Sequence, residues 1–436
     1  MFDLIIKNGT CVTPNGREQC DIGISNGKIV ALGTLNSQQA KNSLDAKNLH
    51  VLPGVIDTQV HLREPGNEHK EDLDTGTKAA VLGGVTAVFE MPNTNPSTTT
   101  AALLQDKIHR ASGRAWCDFA FFMGGTDDPN SNWTELEKLP GCAGIKIFMG
   151  SSTGSLLVSE EEALLNILSH SHRRVAVHCE DEKRLKERAH LAQEAGHPRV
   201  HPIWRDAESA YLATSRLLKL ARQTNHRVHV LHVTTAAEME LLAQYKDIAT
   251  VEVTPQHLTL TDEAYERIGS LAQMNPPIRE KKHQEALWHA INNGLVDVIG
   301  SDHAPHTLEE KRQPYPKSPS GMPGVQTLVP LMLNHINEGR LTLERFVDLT
   351  SAGPARIYQI ANKGRIALGY DADFTLVDLN ATRTINNSWI ASRCGWTPFD
   401  GMTVRGWMTH TIIHGQVVMQ EDTVLGNPVG QPVVFL

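Results

Sequence analysis

The sequence predicts an α/β protein: a (β/α)8 TIM barrel with a small β-sandwich domain formed from both termini. Three observations lead there. The 436 residues exceed the roughly 250 that one such barrel takes, which leaves room for an accessory domain. The middle of the chain alternates short apolar, β-branched runs with helical patterns, the signature of parallel βα units. Both ends read instead as short strands joined by tight turns.

The eight middle runs are 54–60, 85–90, 117–123, 143–148, 174–177, 227–231, 249–253 and 296–300. Helix-like segments lie between them, among them 101–112, 160–172, 209–223 and 281–293. No Gly-rich phosphate loop follows the first run, which counts against an open doubly wound sheet. At the N-terminal end, Leu4-Ile5-Ile6-Lys7 leads to Asn8-Gly9, Thr13-Pro14-Asn15-Gly16 is a second turn, and Ile22-Gly23-Ile24 meets Asn26-Gly27. Asn-Gly between β-branched runs is a strong hairpin signal. Phe374-Thr375-Leu376-Val377, Thr411-Ile412-Ile413 and Val417-Val418-Met419 continue that style near the C-terminus. The expected domains are therefore 1–52 with 364–436, and a barrel over 53–363. The segment 307–324, with four prolines, is the one long irregular stretch. It follows the eighth run, where a loop of that length is usually functional.

Composition narrows the function classes. Forty-one basic and 49 acidic side chains leave a net charge of −8, with no long run of either sign. That argues against nucleic acid or a membrane surface as partner, since both favour clustered Lys and Arg. A small anionic ligand stays open, because a site can be locally basic. No stretch reaches 18 apolar residues, so no membrane-spanning helix is expected. The N-terminus lacks the basic-then-apolar pattern of a signal peptide. The six scattered cysteines suit a reduced, cytoplasmic protein better than a disulfide framework.

In a barrel the chemistry collects at the C-terminal ends of the strands. Strand one ends Asp57-Thr58-Gln59-Val60-His61-Leu62-Arg63, and strand two ends Glu90-Met91-Pro92-Asn93-Thr94. Lys146 lies within strand four; strand five ends His178-Cys179-Glu180-Asp181, and strand six His232-Val233-Thr234-Thr235. Strand seven ends Thr254-Pro255-Gln256-His257, and strand eight Ser301-Asp302-His303-Ala304-Pro305-His306. Singly, a strand-end histidine is more often a packed or solvated residue than a ligand, and Asp302 could simply cap the next segment. Jointly, imidazoles and carboxylates converging on one barrel mouth suit a borderline divalent metal such as zinc. An ammonium at Lys146 would be repelled there. An uncharged amine could instead add carbon dioxide, giving an anionic carbamate able to bridge two metals. The alternative is an ion pair of Lys146 with Asp302 or Glu180.

Five segments together resemble the dihydroorotases of the amidohydrolase superfamily. They are Asp57-x-x-x-His61-Leu62-Arg63-Glu64-Pro65-Gly66, Lys70-Glu71-Asp72, Met91-Pro92-Asn93-Thr94, Asn275-Pro276-Pro277-Ile278-Arg279 and Ser301-Asp302-His303-Ala304-Pro305-His306. The resemblance implies a cyclic amidohydrolase that interconverts dihydroorotate and N-carbamoyl-L-aspartate in pyrimidine biosynthesis. It implies one or two zinc ions per chain: His61 on the first metal, His178 and His232 on the second, carboxylated Lys146 bridging, and Asp302 both binding the first metal and moving the proton. Arg63, Asn93 and His306 would grip the substrate carboxylate, with Asn275 beside the ring and the Gly321–Gly324 region offering backbone groups to it. A homodimer is the assembly to look for.

The departure is Gln59, where the family usually places the first His of His-x-His. An amide oxygen is a poorer zinc ligand than imidazole, so the first metal site is expected to be weak, altered or empty. Gln256, where relatives often carry another His, is expected to be packing. Two rivals stand beside the main reading. One is another cyclic amidohydrolase, acting on allantoin or a hydantoin. The other is a non-catalytic subunit partnering aspartate transcarbamoylase, for which Gln59 is the sole support. Arg63 and Asn93 disfavour uncharged rings, which would leave both without a carboxylate partner.

Overall fold

The computed structural model describes residues 1–152 and 156–436. Eight strands form one sheet in sequence order: Val55–Val60, Val85–Glu90, Asp118–Gly124, Cys142–Phe148, Val175–His178, Val228–Val230, Ala249–Val253 and Val298–Ile299. Every neighbouring pair is parallel. A parallel bridge between Val60 and His303 closes the ring, with His61 N donating to His303 O at 2.7 Å. These strands are apolar at nearly every position because both faces are buried, one by the barrel interior and one by helices. Each predicted run falls on a strand, with ends displaced by a residue or two.

The helices present one apolar face to the barrel and are stopped by local chemistry. Ala207–Gln223 buries Ala210, Ala213, Leu217, Leu218 and Ala221, and its N-cap Asp206 accepts from Ser209 N. Ala101–Ala111 is capped by Thr100 in the same way. Such a cap satisfies one of the amides that a helix start leaves unpaired.

Two further sheets stand beside the barrel. Phe2–Lys7, Asp21–Ser25, Lys28–Gly33 and Ala40–Asp45 form a four-stranded sheet. Thr10–Thr13, Gly16–Gln19 and His50–Pro53 join Phe374–Thr384, Thr403–Ile413, Gln416–Gln420 and Thr423–Val424 in a seven-stranded one. His50–Pro53 runs antiparallel to Phe374–Thr384, so the two chain ends share a sheet. Ile6, Ile22 and Ile24 of the first sheet pack with Val51, Phe374, Leu376 and Ile412 of the second, which makes a sandwich.

The turn predictions divide. Asn26-Gly27, both at positive φ, joins two antiparallel strands as a hairpin, and Pro14-Asn15 joins another. Asn8-Gly9 does not, because Phe2–Lys7 and Thr10–Thr13 belong to different sheets. There Asn8 bonds Asp21 and Asp45, and a Cβ on Gly9 would come within 2.6 Å of Val51. The glycine serves close sheet-to-sheet approach rather than a two-residue turn. The stretch 307–324 is also less irregular than expected. It contains the helical turn Leu308–Lys311, with a capping box between Thr307 and Glu310.

Candidate metal and substrate site

Strand pleating fixes which side chains meet. Residues two apart point the same way, so Gln59 and His61 share the inward face at the end of strand one. Lys146 is two positions before the end of strand four, and His178 terminates strand five. His232, Arg63 and Asp302 lie just past their strands at positive φ, 37°, 63° and 44°. Non-glycine residues rarely adopt that conformation, and where they do it often marks a functional site.

One narrow cavity is lined by Gln59, His61, Arg63, Asn93, His178, His232, Asn275 and Asp302, together with Phe148, Ser152, Ala304, Ser320 and Gly321. His61 Nδ1 lies 2.8 Å from Asn93 Oδ1. That oxygen can only accept, and so can the one facing Nε2, so a neutral ring gives its single proton to one of the two and keeps a lone pair on the other nitrogen. Nε2 faces Asp302 Oδ1 at 3.2 Å. Gln59 Nε2 donates to the same oxygen at 3.1 Å, and Gln59 Oε1 is buried without a hydrogen bond.

The opposite wall carries two imidazoles, with the Lys146 amine buried close to both. His178 Nε2 donates to Glu180 Oε2 at 2.9 Å, which leaves Nδ1 as a lone pair 3.1 Å from His232 Nε2. Burial lowers the pKa of both rings; for His178 it outweighs Glu180, and for His232 neighbouring cations add to it. Both rings are therefore neutral ligand-type imidazoles. Lys146 Nζ is buried with no hydrogen-bond partner, 4.3 Å above the Phe148 ring. Burial pushes its pKa from 10.5 to about 7. No ion pair joins Lys146 to Asp302 or Glu180 among the described residues, so that alternative is not realised. Convergent imidazole nitrogens beside an unpartnered, readily neutralised amine fit a divalent cation. The second layer fits as well, since metal-binding histidines usually give their other N–H to a carboxylate.

Glu180 is itself held by Arg205, whose Nε lies 3.0 and 3.1 Å from its two oxygens. Burial pushes the Glu180 carboxyl up, but Arg205 and His178 outweigh it and hold it well below the usual range. Glu180 was visible in the sequence as part of the strand-five end. Arg205 carried no such signal.

Arg63 is nearly inaccessible to solvent, at 4% exposure, and burial lowers its pKa to about 10. Its Nε donates to Pro305 O at 3.1 Å, and Nη2 lies 3.3 Å from His306 Nε2. Among the described residues it forms no salt bridge with any carboxylate. A buried guanidinium with carboxylates near it but none in direct contact, at the edge of a cavity, suits an anion.

His306 sits differently from its predicted role. It does not line the cavity: Nδ1 faces Lys70 at 3.2 Å and Nε2 faces Ser320 O at 3.0 Å. Both nitrogens are engaged, so it buttresses Arg63 from behind. Gly321 lines the cavity, yet its N–H is already given to Gln273 O at 2.9 Å. Asn275 is oriented by His201 Nε2, 2.9 Å from its Oδ1. Gln256 donates to Ser301 O at 2.6 Å and packs, as expected.

A second group of ligand-type atoms, from Asp118, Asp373 and His414, lies where the sandwich meets the barrel. Lys363 already supplies its cation, with Nζ 2.6 Å from Asp118 and 3.0 Å from Asp371. That cluster is a structural ion network. No helix among the described residues is long and apolar enough to cross a membrane.

Comparison with known proteins agrees with this architecture. The chain is 35% identical over 417 residues to a dihydroorotase of Pyrococcus furiosus, covering 95% of this chain and 92% of that one. It is 34% identical over 431 residues to a dihydroorotase of Methanothermobacter thermautotrophicus, covering 98% and 96%. The solved L-hydantoinase (dihydropyrimidinase) of Arthrobacter aurescens superposes with a TM-score of 0.94 at 30% identity, over 99% of this chain and all of that one. The amidohydrolase family profile matches residues 50–418, and with strand-end histidines, lysine and aspartate gathered at the mouth of a closed barrel, the chain belongs to the amidohydrolase family.

Proposed function

We propose that the protein is a dihydroorotase: it opens the cyclic amide of dihydroorotate with water to give N-carbamoyl-L-aspartate, and runs the reverse condensation in pyrimidine formation. The observation that carries the reading is Arg63, a buried guanidinium facing the cavity with no carboxylate of its own. Dihydroorotate brings that carboxylate; uncharged hydantoin, allantoin and dihydropyrimidine rings do not. The names of the archaeal relatives support the same choice.

His178, His232, Lys146 as its carbamate, and Asp302 would hold zinc, with His61 on the far side of Asp302. When bound, the metal would lower the pKa of water toward neutrality and polarise the ring carbonyl. Asp302 takes the proton released as water adds to the carbonyl carbon, and returns it to the ring nitrogen as the C–N bond breaks. Gln59 donates to Asp302 Oδ1 and holds it in place for that transfer. Arg63 forks the substrate carboxylate, Asn93 is anchored by His61 beside it, and Asn275 borders the ring. His306 lies against Arg63 Nη2 at 3.3 Å, beside the wall that would take the substrate carboxylate. The free thiols of all six cysteines suit a reducing cytoplasm.

The test is interconversion of dihydroorotate and carbamoyl-aspartate by zinc-loaded protein with bicarbonate, with Asp302→Ala as the blank. Dihydrouracil, hydantoin and allantoin serve as competing substrates. Turnover of dihydroorotate lost in the blank supports the reading. Preference for an uncharged ring, or no turnover in either direction, overturns it.

A further inference from the structure

The two halves of the site are not equivalent. On the Lys146 side, Lys146 Nζ and His232 Nδ1 are buried without hydrogen bonds, and the His178 and His232 rings bond only each other across the cavity, Nδ1 to Nε2 at 3.1 Å. On the strand-one side, Asp302 Oδ1 already receives the Gln59 amide at 3.1 Å and faces His61 Nε2 at 3.2 Å. The orientation of the amide follows from charge. A carboxylate oxygen repels Oε1 and attracts the N–H2 group, so Gln59 turns its donor inward. An inward N–H2 cannot ligate a cation, and it takes up the carboxylate lone pair a cation would use.

We propose, resting on the metal assignment above, that this chain binds a single divalent cation, on the Lys146–His178–His232–Asp302 side. The Gln59 amide stands in for the second cation. Turning the amide over would bring Oε1 to bear, but it would forfeit a charge-assisted hydrogen bond for a weak neutral ligand. The amide also does for Asp302 what a second metal would do: it fixes Oδ1. Arg63, four residues further on, keeps its place regardless. The position of Gln59 thus sets metal number without touching the anion-binding wall.

The experiment counts metal on full-length protein. Wild type, Gln59→His, Gln59→Ala and His232→Ala are stripped with chelator, equilibrated with zinc and bicarbonate, passed through a desalting column and assayed for zinc per chain. Cobalt-loaded samples are read by electron paramagnetic resonance for spin coupling between neighbouring ions. The expected result is one zinc and no coupling for wild type and Gln59→Ala, two zinc with coupling for Gln59→His, and loss of the ion in His232→Ala. Two zinc in wild type overturns the inference and leaves the metal reading standing. So does Gln59→His that keeps a native circular dichroism spectrum yet holds one ion. Loss of the only ion in Gln59→Ala also overturns it, since Gln59 would then be a ligand. No zinc in any form overturns the metal assignment itself.

Discussion

Glu180 Oε2 lies 2.9 Å from His178 Nε2 and is clamped from the other side by Arg205. The carboxylate thereby fixes the tautomer of the histidine, sending the Nδ1 lone pair into the cavity. Removing such a partner typically costs 10–100-fold in metal affinity. Glu180→Gln is expected to weaken zinc binding by about that factor, read by chelator competition. Melting temperature should fall too, because Arg205 at 3% exposure loses its counter-charge. An unchanged zinc affinity would remove Glu180 from the metal-positioning role.

Arg63 is expected to decide between charged and uncharged substrates. Truncating one partner of a buried charge pair costs about 2–5 kcal/mol. Arg63→Met should therefore lower kcat/KM for dihydroorotate by roughly 30-fold to several thousand-fold. Any residual hydrolysis of dihydrouracil should not fall with it. Arg63→Lys should recover little, since an ammonium lacks the fork that matches a carboxylate. Parallel losses on both substrates would mean that Arg63 is structural.

Much of this was legible in the chain, and the reason is periodicity. Eight apolar runs placed eight strands, and residues following the first, second, fifth, sixth and eighth runs named much of the cavity wall, because strand ends and barrel mouth coincide. What escaped was set by tertiary contact alone. Arg205 reaches Glu180 from a segment 25 residues away. His306 carries the right chemistry in the right motif, yet Lys70 and Ser320 claim both of its nitrogens. Asn8-Gly9 has hairpin composition, but its flanking strands bury their faces in different sheets. Gln59 was conspicuous as a residue, while the direction of its amide depends on Asp302, more than two hundred positions on.

Lys146 gives a pH dependence with a definite sign. Burial brings its folded-state pKa down to about 7 from 10.5. Between those values the unfolded chain holds a proton that the folded chain has released. Stability of the metal-free protein therefore rises with pH across that window, by about 1.4 kcal/mol per unit. Lys146→Met removes the proton and with it this rise, so the two denaturation curves should converge at high pH and separate toward pH 7. Below about pH 7 the folded lysine is an ammonium, which neither adds carbon dioxide nor admits a cation. Zinc uptake by stripped wild type should fall as pH drops through 7. Uptake unchanged from pH 8 to pH 6 would take Lys146 out of the ligand set.

Lys311 explains why 307–324 holds one shape despite its prolines. Its buried Nζ lies 3.2 Å from Gln273 O, 2.8 Å from Pro319 O and 2.9 Å from Gly321 O. The amine, whose pKa burial lowers to about 7, meets three carbonyls, so the lysine replaces the secondary structure this segment lacks. Gly321 and Ser320, at the end of the tether, line the cavity, and Ser320 O receives His306, which backs Arg63. Lys311→Met fills the volume but strands the Pro319 and Gly321 carbonyls, Gln273 O keeping the Gly321 N–H, at about 1–3 kcal/mol for each that water cannot reach. The expected result is loss of several kcal/mol of stability or local opening of the loop, seen as faster amide exchange at Gly321. Because the loop supports the anion-binding wall, KM for dihydroorotate should rise while zinc per chain stays unchanged. A variant with native exchange rates and native KM would show that the loop holds its shape without this tether.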